Sequence, residues 1–400
     1  MHVLQIEERS APPSFALFEL GFRPFFSGAG LFAVLSILLW MAIYVFSVPL
    51  APAGLAGTLW HAHEMVFGYA MAVVAGFLLT AVGNWTGIRG LRGSALAALL
   101  LLWAIARVAY FLPVPWALTL AAVADLLFAL GLIAGVSLPV FRVRQWTQLG
   151  VITKLWLMLL CNAIFYAGAL GYLDQGIRWG LYTGIYIILA LIFTMARRVV
   201  PFFIERGVDE AFSARNRRWV DFGSLVLFAA WAVLDVFSRQ AVLVALLSLP
   251  LVAIHVLRMR DWYTPGIWKA PLLWSLYLGY GFLVLGFVLK ALSVWPGISP
   301  TLALHAFAVG GIGLITIGMM SRVALGHTGR NVFDPPKVLV PMFALVVLGA
   351  LTRVVAPIID GSHYTFWIAA SQVVWMLGFG VFSAVYVPIL IRPRVDGRPG

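Results

Sequence analysis

Apolar stretches of about membrane-spanning length follow one another along the whole chain, separated by short polar joints. A transmembrane helix needs about 20 largely apolar residues. The pattern predicts twelve: Phe25 to Phe46, Trp60 to Val82, Ser94 to Leu112, Trp116 to Val140, Val151 to Tyr172 and Trp179 to Val200. The rest are Trp219 to Phe237, Ala241 to Leu257, Pro271 to Leu292, Thr301 to Leu325, Val338 to Pro357 and Thr365 to Ile391. Most joints carry turn residues, such as Leu112-Pro113-Val114-Pro115 and Asp360-Gly361-Ser362. The longest, Pro201 to Arg218, is rich in Arg, Glu and Asp and is too short to divide two domains. The expected fold is all-α: a polytopic bundle of about twelve transmembrane helices. Residues 25–391 form one transmembrane domain between tails 1–24 and 392–400.

Composition agrees, with 62% hydrophobic and only 10% charged residues, against about a quarter charged in a soluble domain. Tryptophans collect at span ends (Trp40, Trp60, Trp85, Trp116, Trp179, Trp219, Trp295), as interface anchors do. The net charge of +12 would suggest nucleic acid in a soluble chain. Here it follows from Lys and Arg gathering on the cytoplasmic side. With the N-terminus inside, the outer side holds only Arg178, Arg239, Lys290 and Arg353 of the 27 Lys and Arg, and Arg107 lies within the third span. Both termini are therefore expected in the cytoplasm, with no nucleic-acid partner. The start, with Glu7, Glu8, Arg9, Pro12 and Pro13, has no apolar h-region, so no removable signal peptide is expected. Cys161 is the only cysteine. One thiol builds no intrachain disulfide, zinc finger, iron–sulfur cluster or c-type haem attachment, so any haem would be held non-covalently.

Polar groups inside a bilayer are costly and raise functional questions. Trp60-His61-Ala62-His63-Glu64-Met65 places two of the seven histidines and a carboxylate at the outer end of the second span. His305 opens the tenth span on the same side, and His363 lies in the last outer loop, whereas His255 and His327 lie at inner ends. Imidazole is the commonest protein ligand for metals. His63 and His305, on separate helices, could clamp one haem iron or leave a position open to a diatomic ligand. His61 is a further metal ligand in this reading. On a continuous helix His61 and His63 point about 200° apart and cannot share one small ion, while His61 and Glu64 share a face. The bland alternative is interfacial histidines bonded to carbonyls and water. His63, Gly68, Gly76, Thr86 and Gly87 recur at identical offsets as His305, Gly310, Gly318, Thr328 and Gly329; this is either an internal repeat or the commonness of Gly in membrane helices.

At the inner side, Arg23 in Gly21-Phe22-Arg23-Pro24, Arg197 and Arg198 before Val199-Val200-Pro201, and Arg322 and Arg330 flanking Gly326-His327-Thr328-Gly329 set cations beside Gly or Pro. They suit haem propionates or an acidic partner, because Arg pairs with carboxylates through two parallel bonds. Anchoring on lipid phosphates is the alternative. Arg107 and Asp125 belong to adjacent spans and are expected to pair. The inner loop Gly83 to Gly90 lacks the acidic residue of major-facilitator transporters.

Leu20 to Phe26, Trp60 to Gly68, Ala75 to Val82, Asn84-Trp85-Thr86-Gly87, Ala196 to Phe203, His305-Ala306 and Ser321 to Arg330 together resemble the NnrS family of bacterial inner-membrane proteins. The resemblance implies a twelve-span protein containing haem, of b-type if non-covalent, and copper, and linked to the nitric oxide response. It alone favours copper over zinc. His255 and His363 fall outside these motifs. The expected function is nitric oxide binding, with reduction by an oxidoreductase resembling nitric oxide reductase as its catalytic form. Glu64 would then serve as the proton-delivering group or, equally, as the hydrogen-bond partner that orients His61, and an unknown donor, quinol being one candidate, would supply electrons. The alternatives are a non-catalytic sensor or metal-delivery protein, and a secondary transporter using Asp125, Arg107 and Glu64 as coupling groups.

Overall fold

The computed structural model describes residues 15–238 and 240–398; the expected N-terminal tail up to residue 14, Arg239 and the last two residues lie outside it. Among the described residues the chain is helical, without a strand. The principal helices are α1 (Phe22–Tyr44), α2 (Gly57–Thr86), α3 (Gly93–Ala109), α4 (Ala117–Arg142), α5 (Leu149–Ala169) and α6 (Gly176–Gly207). They continue as α7 (Arg218–Phe237), α8 (Ala241–Trp262), α9 (Pro271–Leu292), α10 (Pro300–His327), α11 (Leu339–Ile359) and α12 (Tyr364–Ile391). Each coincides with an expected span. Among the described residues eleven helices are long and apolar enough to cross a membrane. The remaining helix, α3, has 17 residues, at the short limit for a span. This is a multi-pass membrane protein.

Successive helices pack as antiparallel neighbours, and α1 lies against both α2 and α12, closing the two ends of the bundle on each other. The most enclosed helix is α2, which touches α1, α4, α6 and α10. One end of the bundle carries His61, His305 and His363; the other carries Arg23, Arg197 and Arg322. These ends are called here the histidine rim and the arginine rim.

Two departures from the expected boundaries have physical causes. Helix α6 runs through Pro201 to Gly207, shrinking the expected connector to residues 208–217. Pro201 and Ile204 are buried, and Arg322 lies 3.8 Å above the Phe203 ring. That packing holds the last turns although Pro removes a helix hydrogen bond. Lys290 and Arg353, expected in outer loops, sit in helices: Lys290 reaches Asp235 at 2.7 Å, and Arg353 donates to His305.

The internal similarity has a structural counterpart. Helix α2 widens to π-winding over Glu64–Ala70, and α10 does so over Ala306–Gly313. Each π-segment starts immediately after the repeated histidine. Thr86 donates back to Val82 and Thr328 back to Ala324, and Gly87 and Gly329 then adopt left-handed φ of 70° and 78°. π-bulges are rare and recur at functional sites. The same distortion at the same offset makes the repeat real at the level of backbone.

Candidate functional site

Helices α2 to α5 enclose a cluster of ionisable and polar side chains near the histidine rim. His63, Glu64 and Asp125 are essentially inaccessible, and Arg107, Tyr110, Asn162 and Tyr166 are buried with them. The expected Arg107–Asp125 pair forms, with Nη2 donating to Oδ2 at 2.6 Å. Arg107 Nε also lies 2.8 Å from Glu64 Oε2. Two carboxylates thus flank one guanidinium, which is how buried charge is tolerated.

Hydrogen bonds within the cluster engage both ring nitrogens of His63. Asp125 Oδ2 accepts from the Tyr166 hydroxyl at 2.8 Å, so Tyr166 accepts from Tyr110 at 2.9 Å. Tyr110 then has no proton left for His63 Nδ1, 3.1 Å away, and Glu64 Oε1 stands 2.9 Å from the same nitrogen. Nε2 faces Asn162 Oδ1 at 2.9 Å. Both ring nitrogens of His63 are thus engaged within the cluster, and neither is turned towards a metal position. Its ring stacks on Phe165 with centroids 4.4 Å apart.

His61 points elsewhere, as its two-residue offset from His63 requires. Its ring stacks on Trp40 at 4.8 Å and 3°, and its Nδ1 is buried without a hydrogen-bond partner. His305 Nδ1 donates to the Thr301 carbonyl at 2.7 Å, leaving Nε2 to accept from Arg353 Nη2 at 3.1 Å. His61 and His305 both lie at the histidine rim, His305 turned to Arg353 and His61 to Trp40, whereas His63 is enclosed within the cluster of α2 to α5. Glu64 also departs from expectation. It turns to His63 and Arg107 instead of His61, because π-winding begins at Glu64 and changes the angular step.

The arginine rim is more self-contained than expected. Arg23 is buried and donates to the carbonyls of Leu390 and Arg392 at 2.8 and 2.7 Å, capping α12. Arg197 lies 3.5 Å from Asp221, and Arg322 covers Phe203. The His327 ring packs on Phe22, and the His327 carbonyl accepts from Arg394. Arg330 keeps a buried Nη1 without a partner, and Arg198 is exposed. His363 is exposed in a turn with Asp360.

Sequence reasoning missed Tyr110, Asn162 and Tyr166. The signal was present: Arg107 and Tyr110 are three apart, Asn162 and Tyr166 four apart, so each pair shares a helix face. It also missed the company of His255. Its Nδ1 meets the Tyr280 hydroxyl at 2.6 Å, and that hydroxyl accepts from Arg258, which in turn reaches Asp221 at 2.9 Å. Among the described residues no group of three His, Cys, Asp or Glu is placed to hold a metal ion, so a centre built on His61 and His305 needs other ligands to complete it.

The family model described as NnrS protein matches residues 16–394. No curated protein matches the chain.

Proposed function

The chain belongs to the NnrS family, and from that premise we propose a bacterial inner-membrane protein that binds nitric oxide at a haem or copper centre on the histidine rim. Family membership supports the nitric oxide-related role. The finer reading rests on one observation: His305 donates Nδ1–H to the Thr301 carbonyl and so presents a deprotonated Nε2. A ligating histidine typically commits its other nitrogen in this way. His61, with its unpartnered buried Nδ1, is the second donor. These two residues fit an imidazole-bound metal, with Arg353 yielding His305 Nε2 to it. A haem or copper held there would supply one-electron chemistry and a position for a diatomic ligand.

The chain's own residues would supply protons. A polar pocket of about 510 Å³ at the histidine rim is bordered by Pro49, Ala53, Tyr110 and Pro113. Tyr110 belongs to both this pocket and the hydrogen-bonded group of His63, Glu64, Tyr166 and Asp125. Protons would enter at Tyr110, and Glu64 would hold one against His63. The orientation, with this rim facing the periplasm, and a quinol electron donor are parts of the same proposal.

The test is haem and metal content with optical spectra of purified protein. His61→Ala and His305→Ala should each lose the centre or shift its spectrum on adding nitric oxide, while His63→Gln keeps it. An unchanged spectrum in both alanine variants sinks this ligand pair. Glu64→Gln should keep the centre and lose nitric oxide turnover; intact turnover would leave Glu64 structural.

One observation favours a second reading. Arg107, Glu64 and Asp125, the coupling groups of a transporter, do meet in one buried cluster, and the two π-segments resemble the broken helices of transporters. A colourless preparation free of haem and copper would select it.

A further inference from the structure

The described residues include five buried cations, Arg23, Arg107, Arg258, Lys290 and Arg353. Four are compensated within the fold. Arg107 lies between Glu64 and Asp125, Arg258 reaches Asp221 at 2.9 Å, and Lys290 reaches Asp235 at 2.7 Å. Arg23 donates to the Leu390 and Arg392 carbonyls at the C-terminal, electronegative end of α12. Arg353 is the exception. It sits in α11 with 9% of its surface exposed, and among the described residues no carboxylate comes within ion-pairing range of it. Its neighbours are neutral: Nη2 donates to His305 Nε2 at 3.1 Å, and the guanidinium lies beside the Tyr364 phenol, 5.9 Å from the ring centroid. Arg353 Nη1 is buried without a hydrogen-bond partner.

A charge taken out of water is strongly destabilised unless an opposite charge and hydrogen bonds replace the water. Ionisable groups kept within membrane spans mark ligand and ion sites. The missing component here is negative, because a guanidinium has donors and no acceptor. Its shape is constrained as well. Arg353 Nη1 and the N–H groups beside it form a planar fork, which matches two oxygens carried on one atom. His305 and Arg353 stand within about two turns of the helix ends at the histidine rim, so a small ion has a short way in from solvent.

We propose that Arg353 supplies the charge of an anion-binding site at the histidine rim, for a planar monoanionic group with two oxygens on one atom, as in carboxylates and nitrite. The group is either a free ion or the carboxylate of a prosthetic group held at the same rim, and the fork binds both alike. The site stands without the metal proposed above. Should a metal take His305 Nε2, the guanidinium would lose a partner beside a second cation, and the anion would be needed more.

Formate is the probe, titrated by calorimetry into the full-length protein in nanodiscs and chloride-free buffer, first as purified and then after extraction of any metal or haem. The expected result is one saturable formate site per chain, preferred over chloride and weakened by about tenfold or more in Arg353→Gln. A site already filled by a prosthetic group's carboxylate would show formate binding only after extraction, and Arg353→Gln would then also retain less of that group. Because the uncharged variant could fold poorly, Arg353→Lys keeps the charge and loses the fork. It should bind formate more weakly and no longer prefer it over chloride. No saturable formate in wild type before or after extraction would overturn the proposal. So would undiminished binding in well-folded Arg353→Gln, or the formate preference retained in Arg353→Lys. Formate binding by a protein that carries neither metal nor haem would leave this site standing and remove the metal centre instead.

Discussion

Arg107 shows how much one side chain holds together. Its guanidinium is the only arginine between Glu64 and Asp125, and both carboxylates are inaccessible to water. Replacing it with Met keeps most of the volume and leaves a buried carboxylate uncompensated. Breaking a buried ion pair from one side costs about 3–5 kcal/mol. Arg107→Met should therefore lower the unfolding midpoint sharply in nanodiscs, and adding Asp125→Asn should recover part of the loss. A midpoint unchanged in Arg107→Met would mean that the cluster is not charged as described. At the surface the arithmetic is gentler. In the turn between α11 and α12, hydrogen bonds from Ser362, His363 and Trp367 hold the Asp360 carboxyl down at about 2. An unfolded Asp titrates near 3.9, so the turn's contribution is complete above that value and vanishes as the pH falls through about 2. His363→Ala should move the Asp360 titration upward in a carboxyl NMR experiment. The pairing of Arg107 with Asp125 was legible from the sequence, since two charges on one hairpin have few other partners in a bilayer. The engagement of both His63 nitrogens was not, because it depends on polar residues from other helices, Tyr110 and Asn162 among them.

Helix positions were legible almost throughout because the apolar runs are long and the breaks carry Gly, Pro or charge. What the sequence hid was winding. A π-segment has no compositional signature, yet in α2 it decides that Glu64 faces His63 and Arg107. The repeated glycines gave an indirect hint, and the structure shows what they do. A Cβ on Gly310 would lie 2.3 Å from the Phe282 ring, and one on Gly68 would lie 2.8 Å from Phe32 and 2.9 Å from Arg107 Nη1. Both glycines let a neighbouring helix approach the π-segment. Overpacking a core costs about 1–3 kcal/mol. Gly310→Ala should destabilise by that order, lowering the thermal midpoint and disturbing α9 against α10, whereas Gly223→Ala, which meets nothing within 4 Å, should be neutral. Equal midpoints for the two variants would show that close approach at the π-segment is not required.

At the scale of the whole molecule, the two rims differ in kind. The histidine rim gathers imidazoles, a polar pocket and the buried cluster, while at the arginine rim Arg23 caps α12, Arg322 covers Phe203 and the C-terminal segment brings Asp396 against Gly329. In the proposed orientation the arginine rim faces the cytoplasm, the side on which Lys and Arg are expected because positive loops resist translocation. A proton route opening at the histidine rim would then draw on the periplasm. This orientation is decided by labelling single cysteines in a Cys161→Ala background, since Cys161 is buried and the only native thiol. Ser362 is exposed on the histidine rim and Ser213 on the arginine rim. In intact cells, Ser362→Cys should react with a membrane-impermeant maleimide and Ser213→Cys should react only after lysis. The reverse pattern would invert the protein, place Tyr110 and its pocket on the cytoplasmic side, and make cytoplasmic protons the supply for Glu64 and His63.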